Sequence, residues 1–151
     1  MQTVRKTLGV FTLLVSVASD VPAQSKPDLS GKWVTEFVRT TSDIGLGVEL
    51  TITLADGFLT LEFASPGKPP TPQKLKFKLD GAESKNSLVA ENGFMDQIST
   101  AAWIGNTLVV TTALPSGSQR RTFELDGSNL VISTSSAGSP PRRLVYKRVR
   151  S

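Results

Sequence analysis

The side chains that most often perform chemistry are scarce in this chain. Its 151 residues include no histidine and no cysteine. That removes the commonest general base, the thiolate nucleophile, disulfides and the usual transition-metal ligands. A serine nucleophile would need Lys, Asp, Glu or Tyr146 as its base. Ser84 and Lys85 are neighbours but form no nucleophile elbow, and Gly-x-Ser-x-Gly does not occur. Glu83, Glu91 and Asp96 are the one group of acids that could work as a carboxylate pair or hold an oxygen-liganded cation, and solvated loop acids are their simpler reading. No catalytic residue, metal site or cofactor is assigned. The expectation is a protein that is not an enzyme.

Charge and aromatic rings are the remaining leads. Lys74, Lys76 and Lys78 alternate with Leu75, Phe77 and Leu79, the pattern of a solvated strand face that lysines also guard against edge pairing. From Gln119 onward there are seven basic residues and two acids, Glu124 and Asp126. Such an excess attracts anions, among them an anionic component of a cell envelope. Nucleic acid is not expected, because aromatic rings are not interleaved with these charges as stacking platforms. Phe37, Phe63, Phe77, Trp103, Phe123 and Tyr146, together with Trp33, fall instead on strand positions that read as inward. They either fill a core or line an apolar pocket for a small molecule.

The elements that would position these rings are strands. Val48, Leu50, Ile52 and Leu54 alternate with polar residues and run into Asp56-Gly57, a two-residue type I′ turn signal. Folding there sets Leu54 against Leu59, Ile52 against Leu61 and Leu50 against Phe63, and a slip by one residue would spoil every pair. A Gly105-Asn106 turn likewise pairs Trp103 with Leu108 and Ala101 with Val110. A Gly127-Ser128 turn pairs Leu125 with Leu130 and Phe123 with Ile132. Further strands read over Lys32 to Arg39, Lys74 to Leu79 and Arg142 to Arg148, nine in all, with Ser87 to Ala90 as a possible tenth. Thr40 to Leu46 reads as a loop. Ala64 to Gln73 holds four of the nine prolines and so reads as no central strand, and Gly81 to Asp96 reads as a long polar connection. An antiparallel meander of this length leaves open edges unless it closes. The expected fold is therefore all-β, an up-and-down barrel of about eight to ten strands, with a two-sheet sandwich as the alternative.

Residues 1–23 have a separate pattern: Arg5 and Lys6, an 11-residue apolar run from Leu8 to Ala18, then Val21-Pro22-Ala23. This is the layout of a secretory signal peptide. As a helix the run would rise only about 16 Å, too short for the roughly 30 Å of a bilayer's hydrocarbon. Cleavage after Ala23 would leave a single domain over residues 24–151 with 15 basic and 12 acidic residues and no membrane-spanning segment. No cysteine follows the run, so no lipoprotein is expected. The setting would be periplasmic or extracellular.

Asp28-Leu-Ser-Gly31-Lys-Trp33 opens the first strand after this segment, and Leu144-Val-Tyr146-Lys-Arg148 closes the last. With Leu79-Asp-Gly-Ala-Glu83 and Trp103-Ile-Gly-Asn-Thr-Leu-Val109 between them, these stretches make residues 28–148 similar to small exported bacterial lipocalin-like (calycin) barrels. The resemblance implies that Arg148 packs over Trp33, beside Gly31, to tie the barrel shut. It implies no activity. The chain lacks the cysteines and C-terminal helix of true lipocalins and has no room for the helix-turn-helix of fatty-acid-binding proteins, so no ligand contacts are carried over. Two functions remain open: an exported binding protein for a small apolar or amphipathic molecule, and a filled barrel acting as a structural or interaction protein of the envelope. If the export reading holds, N-terminal sequencing of the exported protein should begin at Gln24, and retention of Met1 in a membrane fraction would contradict it.

Overall fold

The computed structural model describes residues 25–35, 45–65 and 70–150. They form ten strands: β1 (Gly31–Val34), β2 (Glu49–Ala55), β3 (Phe58–Ser65), β4 (Thr71–Lys78), β5 (Ser84–Ala90), β6 (Gly93–Ile104), β7 (Thr107–Leu114), β8 (Gly117–Asp126), β9 (Asn129–Ser136) and β10 (Ser139–Arg148). Every pairing is antiparallel, and all but one join consecutive strands. The exception is β1 with β10, which brings the two ends of the chain together in one ten-stranded sheet. The sheet is a nearly closed barrel; the sandwich alternative does not apply.

Turn chemistry sets the register. Asp56 and Gly57 both have positive φ (53° and 77°), as a type I′ turn requires, and Leu54, Ile52 and Leu50 meet Leu59, Leu61 and Phe63. Gly105 and Gly127 lead two-residue turns that align Trp103 with Leu108 and Phe123 with Ile132. Inward residues from these hairpins make one core in which Trp33, Tyr146, Phe123, Leu50, Leu59 and Leu108 are almost wholly removed from water.

Two stretches differ from the sequence reading. Gly81 to Asp96 is not a long connection: Ser84–Ala90 and Gly93–Ile104 pair as a hairpin around Glu91-Asn92. The expected alternation is inverted there. Ser84, Asn86 and Ser99 are buried, whereas Val89, Phe94 and Ile98 face outward. The proline-rich segment is also shorter than expected, since Ala64 and Ser65 pair with Pro72 and Thr71. Pro72 is accommodated because β4 has a ladder neighbour on one side only. Phe37, the end of the first expected strand, most of the Thr40 to Leu46 loop and the signal segment lie outside the described residues.

The seam between β4 and β5 explains the buried polar side chains. The Asn86 amide accepts from the Lys76 N–H (2.8 Å) and donates to the Lys76 carbonyl (3.0 Å). Gln73 does the same to the backbone of Val89 (2.9 and 3.0 Å), and Ser84 Oγ accepts from the Lys78 N–H (2.9 Å). Side chains thus take the place of the missing backbone ladder, which leaves these buried groups satisfied.

At the opposite junction, Trp33 pairs with Arg148, whose guanidinium lies 4.3 Å from the indole centroid. The indole N–H donates to the Leu29 carbonyl (3.0 Å), and Arg148 donates to the carbonyls of Ser30 and Asp28. Gly31 is needed for this approach: its φ is 135°, and a Cβ there would lie 2.9 Å from Arg148 Nη1. Trp33→Ala should cost about 3–5 kcal/mol of unfolding free energy. Arg148→Ala should also destabilise, and urea unfolding of the double variant should show a loss smaller than the two single losses together. Strict additivity would mean that the cation and the ring do not interact.

Candidate functional site

The inward positions of β8, β9 and β10 stack in rows across the sheet. The innermost row runs Leu125, Leu130, Tyr146, and the next Phe123, Ile132, Leu144. Both are apolar apart from the Tyr146 hydroxyl. One row further out the chemistry changes to Arg121, Thr134, Arg142, and the row beyond is Gln119, Ser136, Ser139. The switch divides the barrel. The end bearing Trp33 and Arg148 is packed, and the end reached by the β3–β4, β5–β6, β7–β8 and β9–β10 connections is polar.

Two adjoining cavities open at this polar end. One, of about 80 Å³, is lined by Leu46, Arg121, Ile132, Thr134, Leu144 and Tyr146 together with Gly45, Gln119 and Arg142. The other, of about 200 Å³, shares Gln119, Thr134 and Arg142 with it and adds Ser136, Ser139 and Pro140. The wall is held in place by Tyr146, whose hydroxyl donates to the Gly47 carbonyl (2.8 Å). Gly47 has φ 74°, and a Cβ there would meet the Ala64 carbonyl at 2.6 Å, so the chain can pass this point only as glycine.

Arg121 is the chemically distinctive group. Its Nη2 donates to Gln119 Oε1 (3.1 Å), and among the described residues no carboxylate pairs with it. Burial pulls its pKa down from 12.5 to about 10, opposed by the nearby Tyr146, so it remains a cation at neutral pH. Burial likewise pushes the Tyr146 phenol up from 10 to about 12, opposed by Arg121. A half-buried cation with spare N–H donors, facing a cavity with an apolar floor, suits a carboxylate or another oxyanion. Among the described residues no three acids gather as a metal site would need.

Of the aromatic residues marked in the sequence, Tyr146 lines the smaller cavity. Phe77 and Phe123 belong to the packed core, and Phe63 and Trp103 pack against it. Gly31, Trp33 and Arg148 lie at the far end of the barrel. The sequence reading did not single out Arg121, Gln119, Thr134 or Arg142. The signal for them is parity, since Arg121 shares a face with Phe123 and Leu125, and Arg142 with Leu144 and Tyr146.

Comparison with known proteins places the architecture. The solved structure of a fatty acid transporter, REP1-NXSQ, matches with a TM-score of 0.61 at 16% identity, over 82% of this chain and 97% of that one. Secretory abundant heat soluble protein 4 from Ramazzottius varieornatus matches at 0.62 and 17%, over 85% and 100%. The fold is a ten-stranded antiparallel barrel of the fatty-acid-binding and lipocalin-like form. The fluorescent protein UnaG is similar to the same extent, at 0.58 and 18%, over 80% and 97%. No family model and no curated protein sequence matches the chain.

Tyr146 is the one tyrosine, so its titration can be followed directly by phenolate absorbance. The midpoint should lie near 12 rather than 10, and Arg121→Gln should raise it further by removing the cation that favours phenolate. Because the folded state holds this proton more tightly, its contribution to stability is complete below pH 10 and is lost as pH rises from 10 to about 12. A midpoint unmoved by Arg121→Gln would separate the two side chains.

Proposed function

We propose that the protein is a non-enzymatic binding protein for a small amphipathic anion, held in the polar end of the barrel with its head at Arg121. The observation that carries this reading is the Arg121 guanidinium, half-buried, without a carboxylate partner among the described residues and lining a cavity. Folding does not benefit from such a cation, because burying an unpaired charge is costly. A ligand oxyanion would supply its missing partner, while Leu46, Ile132, Leu144 and the Tyr146 ring would meet the apolar part. The described cavities, about 80 and 200 Å³, are smaller than the roughly 300–1,000 Å³ typical of drug-sized ligands and favour a medium chain over a long one. The similar fold of a fatty acid transporter supports the same reading. With residues 1–23 acting as an export signal, the protein would meet this ligand outside the cytoplasm.

Medium-chain alkanoates should raise the melting temperature, since a ligand that binds only the folded state stabilises it. Alkanols of equal length should do so less. Arg121→Leu should weaken alkanoate binding by about tenfold or more, the worth of a charge-assisted hydrogen bond, and leave alkanol binding unchanged. If neither series shifts the melting temperature, the alternative of a filled barrel with a structural or interaction role is the better account.

A further inference from the structure

The β5–β6 hairpin carries a second feature, on the outside of the barrel. Phe94 is 79% exposed, Ile98 46% and Val89 41%, all three on the outward face, while Met95 on the opposite face of β6 is exposed at the mouth. Val89 and Phe94 are direct cross-strand partners at the tip, and Ile98 continues the outward face of β6. Exposing large apolar groups together, at the end of a projecting hairpin, costs the monomer favourable burial and marks a contact surface.

The charges around this tip identify the contact. Gln73 bonds both backbone groups of Val89, so Lys74 on the outward face of β4 stands level with the apolar cluster, followed by Lys76 and Lys78. Lys85 lies on the outward face of β5. Against these four lysines the outward faces of β3 to β6 carry two acids, Glu62 and Asp96, and a third, Glu91, stands in the β5–β6 turn. Asp96 is already engaged by Lys85 (2.9 Å) and by the Ser87 hydroxyl, and Glu62 by Lys74 (3.2 Å). The surface is therefore an apolar tip beside a cationic stripe. Protein interfaces favour aromatic residues but are depleted in lysine, whereas a bilayer surface takes both: rings enter the headgroup layer and lysines meet lipid phosphates.

We propose that this outer face docks on an anionic lipid bilayer, with Phe94 and Val89 entering the headgroup layer and Lys74, Lys76 and Lys78 facing the phosphates. The hairpin tip lies at the same end as the polar cavity, so docking would bring the cavity mouth to the membrane. The docking claim does not depend on what the cavity holds.

The test uses residues 24–151, which contain all ten strands, so that the apolar N-terminal segment cannot bind lipid in their place. The probe is a set of vesicles of phosphatidylcholine with about one-third phosphatidylglycerol, compared with phosphatidylcholine alone. The protein should sediment with the anionic vesicles and be released by high salt. Phe94→Trp should report entry by a blue-shifted emission that neutral vesicles do not produce. Replacing Phe94 and Val89 together by Ser should weaken binding about tenfold or more with the melting temperature unchanged, because both side chains are exposed. Changing Lys74, Lys76 and Lys78 to Gln should weaken it comparably and flatten its salt dependence. The proposal is overturned if Phe94→Trp emission stays unshifted while the protein sediments, or if nothing sediments. It is equally overturned if Phe94 instead supports a concentration-dependent dimer that excludes vesicles.

Discussion

A meander of antiparallel strands ends in two rows of unpaired backbone groups, and everything else in this barrel depends on how they are satisfied. The two terminal strands pair with each other, β1 with β10, although β1 is only four residues long. So short a ladder gains from the Arg148 guanidinium, which covers the Trp33 indole and bonds the carbonyls of Ser30 and Asp28. A cation over an indole contributes about 0.5–2 kcal/mol, depending on how far water is excluded. The other gap, between β4 and β5, has no backbone ladder and is bridged by Gln73, Asn86 and Ser84. Both closures use polar side chains at inward positions, exposed for Arg148 and buried for Gln73, Asn86 and Ser84, where a simple pattern of apolar-in and polar-out would place none.

Closure at the Trp33 end has a consequence for the other end. The packed rows that include Phe123, Ile132, Leu144 and Tyr146 can support a wall that is itself polar. Arg121, Thr134 and Arg142 continue the same inward face, one row toward the mouth. Across β8, β9 and β10 the inward face is apolar in one half and carries hydrogen-bonding groups in the other. Tyr146 joins the two halves: its ring is in the core, and its hydroxyl fixes Gly47 and with it the connection carrying Gly45 and Leu46.

Three hairpins were legible in the sequence because two independent signals agreed at each. The turn residues at 56–57, 105–106 and 127–128 stand between stretches whose apolar positions match only in the observed register. The β5–β6 hairpin was legible only as a possible strand over Ser87 to Ala90, because its signals conflict: Asn86, Ser84 and Ser99 point inward to bond across strands, while Phe94 and Ile98 point out. A reading that equates apolar with inward takes such a segment for a loop. Arg121 and Arg142 were obscured differently. In a count of charges they belong with the other basic residues of the C-terminal third, whereas their parity with Phe123 and Tyr146 puts them on the inward face at the mouth, Arg121 half-buried and Arg142 exposed. Net charge is blind to side-chain direction, and strand parity is not.

The central claim is that the polar row at Arg121, Thr134 and Arg142 turns one end of a packed barrel into an anion site. Backbone amide NMR spectra recorded during a decanoate titration test it most directly. The account predicts saturable shifts concentrated at Arg121, Thr134, Arg142 and Tyr146, with the turns at 56–57, 105–106 and 127–128 unmoved at the far end. Shifts centred on those turns, or none at all, would contradict it.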